Sequence, residues 1–127
     1  RPLQFPPAYQ VPSPFGNNVG GVSPQMYLVN PLSQFDSWLT VGLTDGSDLN
    51  AISSIGFDLD SWTEAAGLEV DNGAVFWMSP DDAPGGDVVV AQVTVTAGSS
   101  GTMTGGLQGR STSGDDWQAD TMSWSFP

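Results

Sequence analysis

Apolar positions along this chain fall into short, mostly alternating runs broken by turn residues, the period-2 pattern of β-strands rather than the 3.6-residue period of helices. Met26 to Val29 predicts a strand ended by Asn30-Pro31. Phe35 to Leu43 predicts a second, with Phe35, Ser37, Leu39, Val41 and Leu43 on alternate positions before the Asp45-Gly46 turn. Ile55 to Leu59 places Ile55, Phe57 and Leu59 on one face. Gly73 to Met78 carries the continuous apolar run Ala74-Val75-Phe76-Trp77-Met78, which suits a strand covered on both faces. Val88 to Thr96 is rich in β-branched residues and is the strongest strand by composition. Thr102 to Gln108 follows a Gly98 to Gly101 loop as its partner, and Thr121 to Phe126 alternates Met122, Trp124 and Phe126 inward against Thr121, Ser123 and Ser125.

Helical signal is confined to Ser61 to Gly67, where Ser61 and Glu64 have capping-box spacing and Gly67 is a stop. About eight short strands with turn signals at roughly 8–12-residue spacing predict an all-β fold, an antiparallel β-sandwich or jelly roll. The division is an extended arm over 1–15 and a β-sandwich domain over 16–127.

The arm has its own logic. Pro2, Pro6, Pro7, Pro12 and Pro14 hold it extended, while Leu3, Phe5, Tyr9, Val11 and Phe15 give it an apolar stripe. Such a stripe has to be buried, either along its own domain or in a groove of a neighbouring subunit. The second arrangement is head to tail, and where the rotation does not close it generates a filament. Leu3, Phe5, Tyr9, Val11 and Phe15 are therefore candidate subunit-interface anchors.

Composition narrows the chemistry. The 127 residues include no Cys, His or Lys and carry a net charge of −12 from 14 carboxylates and two arginines. The side chains most used as nucleophile, general base and transition-metal ligand are thus missing, which points away from an enzyme. Arg1 and Arg110 supply no basic patch for phosphates or an anionic bilayer, so nucleic acid and membrane are poor partners, and no apolar run has the length of a membrane span. An acidic chain rich in Gly, Ser and Thr leans towards an extracellular location. Without an initiating Met or a leader pattern, it reads as processed or cut from something longer.

Two sets of residues remain as candidate binding groups. Asp58, Asp60, Asp71, Asp81 and Asp82 are loop carboxylates of the kind calcium takes, although the simpler reading is solvated turn residues that keep the protein soluble. The Asp45 to Asn50 stretch resembles a calcium loop but lacks the acidic position before its glycine and the terminal glutamate. Among five tryptophans, Trp62 and Trp117 have polar neighbours and are expected to be partly exposed, where they can stack on sugar rings with Asp115 and Asp116 nearby. Their alternative place is the core or a subunit contact. A carboxylate pair acting as glycosidase acid and base is the least supported reading.

Several strings carry a resemblance. They are Phe5 to Gly21 (FPPAYQVPSPFGNNVGG), Phe35 to Gly46 (FDSWLTVGLTDG), Asp71 to Met78, Val88 to Val95, and Leu107 to Arg110. In these the chain resembles a β-rich repeat module of large extracellular and cell-surface proteins of microalgae and other protists. The resemblance implies a secreted or cell-surface scaffolding module, with further strand sequence expected before Pro2. The expected function is a non-enzymatic extracellular structural subunit that forms a homopolymer, a filament or surface layer, through its arm. The alternative is a glycan-binding module, calcium-stabilised, with no other cofactor.

Overall fold

Strands and extended segments dominate the computed structural model, which describes residues 3–12, 14–79, 83–110 and 113–127. Among the described residues there are eight strands: β1 (Leu3–Phe5), β2 (Trp38–Leu39), β3 (Ile52–Ile55), β4 (Leu68–Val70), β5 (Ala74–Trp77), β6 (Ala91–Gln92), β7 (Gly101–Arg110) and β8 (Asp116–Phe126). Helical structure is limited to one turn, α1 (Met26–Val29), and short 3-10 segments at Pro31–Phe35, Gly46–Ala51 and Leu59–Ser61. The strands form a four-stranded sheet in the order β4-β1-β7-β8 and two ribbons, β2-β6 and β3-β5, every ladder antiparallel. The fold is all-β.

The arm packs on its own domain. β1 lies between β4 and β7, pairing Leu3 with Val70, Phe5 with Leu68 and Gln4 with Thr104. Phe5 and Ala8 belong to the buried cluster with Leu39, Trp62, Leu68 and Val70, and Phe5 meets Trp62 edge to face with ring centroids 5.6 Å apart. Beyond β1 the prolines rule out a continuous ladder, so the arm bonds piecemeal: the Ala8 N–H donates to Thr63 O and the Tyr9 N–H to Thr94 O. Of the five anchors, Phe5 and Val11 are buried, and Leu3, Tyr9 and Phe15 are half-buried. The described residues of the 1–15 segment thus pack along their own domain, the first of the two arrangements open to the apolar stripe.

One buried carboxylate fixes this seat. Asp36 is fully buried; its Oδ1 accepts from the Val11 N–H at 2.9 Å and its Oδ2 from the Asn17 N–H at 2.7 Å. Next to it, the Ser37 N–H donates to Tyr9 O, and Ser37 Oγ accepts from the Thr94 N–H. Gln92 Nε2 donates to the backbone oxygens of Gln34 and Asp36. Asp36 and Ser37 thus tie the arm on one side and the β6 segment on the other. That is why residues 36–40 are all buried instead of alternating.

The β7-β8 hairpin shows how a sheet face is kept continuous. The register runs from Gly101↔Phe126 to Gly105↔Met122, then shifts so that Leu107 faces Ala119 and Gly109 faces Trp117. Asp120 and Thr121 therefore oppose the single residue Gly106, a β-bulge. The bulge reverses the parity of β8: Trp117 and Ala119, at odd positions, come to the same face as Met122, Trp124 and Phe126. Across that face, Phe126, Met122 and Trp117 each sit opposite a glycine, while Trp124 sits opposite Met103. A Cβ at Gly101 would lie 2.8 Å from the Phe126 ring, and one at Gly109 would lie 2.7 Å from the Trp117 ring.

Several expected elements differ. Met26–Val29 is a helical turn, because the Ser23-Pro24 turn starts i→i+3 bonding and Asn30-Pro31 blocks an extended continuation. The Phe35–Leu43 strand shortens to Trp38–Leu39, since Pro31 opens a 3-10 turn through Phe35 and Gly42 turns the chain at φ +86°. The Ile55–Leu59 strand moves upstream to β3, ended by Gly56 at φ +80°. β5 has one partner, β3, and alternates exposed and half-buried residues instead of being covered on both faces. Val88–Thr96 keeps only Ala91–Gln92 in a ladder, because its other groups bond to two different segments, Val89 and Val90 to the β2 side and Thr94 to the arm. Ser61–Gly67 is not helical: Thr63 Oγ1 accepts from the Ala65 and Ala66 N–H groups and closes a turn.

Removing the Asp36 acceptor strands two backbone donors. Asp36→Ala is expected to destabilise the protein by on the order of 3 kcal/mol, and Asp36→Asn by less because one acceptor is kept. Burial pushes the Asp36 carboxyl up, and hydrogen bonds from the Val11, Asn17 and Ser37 N–H groups draw it partly back. With the folded value raised, its contribution to stability is fully present below the unfolded value of 3.8 and is lost as pH rises through the folded value. Denaturant titrations at several pH values check this: wild type should lose stability relative to Asp36→Asn as pH rises through that window.

Candidate functional site

The residues named from sequence fall in three places. Trp62 is in the core, 2% exposed, with its indole Nε1 donating to Pro6 O at 2.8 Å. Partial exposure was expected from its polar neighbours, but the turn around Thr63 folds the indole inward against Phe5. Its ring faces are packed and do not form a sugar platform.

Trp117 does present itself to solvent, at 49% exposure. β8 holds it opposite Gly109, whose missing side chain lets the indole lie across the β7 backbone. On the opposite face of the hairpin, Arg110 Nε donates to Asp116 Oδ1 at 2.8 Å, an ion pair with both side chains at least 70% exposed and so worth little to stability. Asp115 lies at the hairpin turn with Ser113 Oγ donating to its Oδ2. The arrangement is an aromatic surface on one face of the hairpin end and an ion pair on the other. Sequence gave no reason to single out Gly109; its signal is a glycine inside an otherwise regular strand.

The carboxylates do not converge. Asp58 and Asp60 are exposed on the Leu59–Ser61 turn, Asp71 is exposed on another turn, and Asp81 and Asp82 lie outside the described residues. Among the described residues no three acidic groups come close enough to hold a metal ion together. Asp45 serves its own turn: its carboxylate accepts from the Ser47 N–H and hydroxyl, and these bonds hold its pKa below the usual carboxylate value.

A cleft of ≈ 540 Å³ brings Val11 and Asp60 together with Gln10, Asn17, Asn18 and Thr63, over the buried Trp62. The Gln10 side-chain amide is buried at its wall with neither its nitrogen nor its oxygen hydrogen-bonded among the described residues. The remaining unexpected feature is apolar surface. Leu28 (87% exposed), Val29, Leu32 and Phe35 form a knob on the helical turns, Ile55, Phe76 and Met78 mark the β3-β5 ribbon, and Trp117 and Met122 mark the hairpin. Leu28, Val29 and Phe35 fall in segments whose composition predicts strands, and nothing in the sequence marks them as exposed.

No family model, curated protein or solved structure matches this chain.

Replacing the Gln10 amide by an apolar group of similar size removes two unpaired buried polar atoms. Gln10→Leu is therefore expected to stabilise the protein by about 1 kcal/mol in denaturant unfolding.

Proposed function

We propose that this protein is a non-enzymatic extracellular structural subunit, an antiparallel β-sandwich or jelly-roll module that assembles with further copies of itself. The observation that carries this reading is its surface. The accessible area is 7895 Å² for a 13.3 kDa chain, whereas a folded monomer of this mass exposes about 6,450 Å². Apolar groups at the knob, the β3-β5 ribbon and the hairpin contribute to this excess. Exposed apolar patches of that kind mark surfaces made to be covered. The resemblance of the Phe5–Gly21 and Phe35–Gly46 strings to repeat modules of extracellular and cell-surface proteins supports the same reading.

The arm enters it in a changed form. Since Phe5 and Val11 fill the chain's own core, an arm-mediated polymer works by exchange: β1 of one copy takes the seat between β4 and β7 of the next. Sedimentation velocity over a wide concentration range tests self-assembly directly. Concentration-dependent oligomers are expected; a monomer at every concentration would remove the reading.

A second reading rests on Trp117. The half-exposed indole, fixed over Gly109, is suited to stack on a pyranose ring, the aliphatic C–H face against the aromatic face. In affinity gels loaded with soluble polysaccharides, retention should fall about five- to thirtyfold on Trp117→Ala, the loss of a stacking contact of about 1–2 kcal/mol. Equal mobility of wild type and Trp117→Ala on every gel would dismiss it.

A further inference from the structure

β8 ends the four-stranded sheet, and among the described residues its only ladder is with β7. At 11 residues it is the longest strand, and the opposite edge, β4, has three. A long edge strand exposes a row of backbone donors and acceptors that template pairing with another strand, and proteins that avoid this place charge, proline or a bulge there. Here the bulge and Asp120 divide β8. What remains beyond them, Met122-Ser123-Trp124-Ser125-Phe126, is straight, proline-free and uncharged in a chain of net charge −12.

We propose that this stretch is a self-pairing edge, joining two copies through an antiparallel β8-β8 ladder about a two-fold axis at Trp124. The proposal rests on the self-assembly reading and names the surface that performs it. The register follows from the residues. Using all five positions without drawing the bulge into the ladder places Trp124 opposite its own copy, Met122 opposite Phe126, and Ser123 opposite Ser125. The two-fold axis stands perpendicular to the sheet, so each copy keeps its apolar residues on the same side of the joined eight-stranded sheet. That side gains Trp–Trp and Met–Phe cross-strand pairs and the other side gains Ser–Ser pairs. Met122 is 37% exposed in the single chain and is covered by Phe126 of the second copy at each end of the ladder.

Two further observations favour a second copy as the occupant. The uncharged stretch is self-complementary in its alternation, while Asp116 and Asp120 fall outside it. Ser123 and Ser125 are exposed and uncharged, so a second copy of the stretch brings no like charges into register with it. Repulsion between two acidic chains also requires that association strengthen with salt, because screening weakens it while the ladder and its apolar pairs are unaffected.

The register makes a charge test decisive. Ser123 and Ser125 are exposed on the polar face, so replacing them should leave the fold intact, as circular dichroism and thermal melting would verify. The pair Ser123→Lys with Ser125→Lys puts like charges opposite each other twice across the two-fold axis. It also lowers the general repulsion between acidic chains, so any loss of association reports the local contact. Ser123→Lys with Ser125→Glu puts opposite charges there instead. In sedimentation equilibrium the first variant should dissociate at least about tenfold more readily than wild type, and the second should associate at least as tightly as wild type. If wild type assembles and both variants assemble equally well, or both are equally weakened, the β8-β8 edge is wrong and self-assembly stands. A wild type that is monomeric at all concentrations and salt levels overturns both.

Discussion

A carboxylate buried without a cation is costly unless its oxygens are met by well-placed donors, and the rest of this structure is arranged around meeting one. Asp36 receives the Val11 and Asn17 N–H groups, from the arm and from the loop that follows it. Through Ser37 and the backbone of residues 34–36, the same short segment holds Tyr9, Gln92 and Thr94. The arm, β2 and the β6 segment are therefore locked together by polar contacts, which are directional in a way that apolar contacts are not. Phe5 and Ala8 are then delivered to Trp62, Leu39 and Leu68.

This polar lock compensates for a thin apolar core. Ten hydrophobic residues are buried, whereas Leu28, Val29, Leu32, Phe35, Ile55 and Met78 each remain more than half exposed. A chain with that balance is consistent with a unit that completes its burial against others. The β7-β8 hairpin belongs to the same logic. Its bulge restores the apolar parity of β8, its glycines make room for Phe126 and Trp117, and its outer edge carries an uncharged stretch.

Part of this was legible from the residues alone. Strands expected at Thr102–Gln108 and Thr121–Phe126 lie within β7 and β8, although β7 pairs with β8 and not with the Val88–Thr96 segment, and the apolar run at Ala74–Trp77 is a strand with one face half-buried. The arm is extended where prolines hold it and buries Phe5 and Val11 of its alternating apolar residues. The failures share one cause. Met26–Val29 and Val88–Thr96 have strand composition, but composition does not say whether a neighbouring backbone is present to complete a ladder. For Trp62 and Trp117, with polar neighbours alike, one is 2% and the other 49% exposed. That difference is set by Pro6 and Phe5, more than fifty residues away from Trp62 in the chain.

The sequence by itself determined the all-β class, the extended arm, the acidic character and the want of Cys, His and Lys, because each is a local or additive property of the residues. Tertiary structure decided where the arm is buried, which tryptophan meets solvent, that Asp36 is the buried carboxylate, and which edge is left open. Those depend on which distant segments supply backbone donors, ring contacts and ladder partners, and pairing over long sequence separation leaves no periodic trace in the chain.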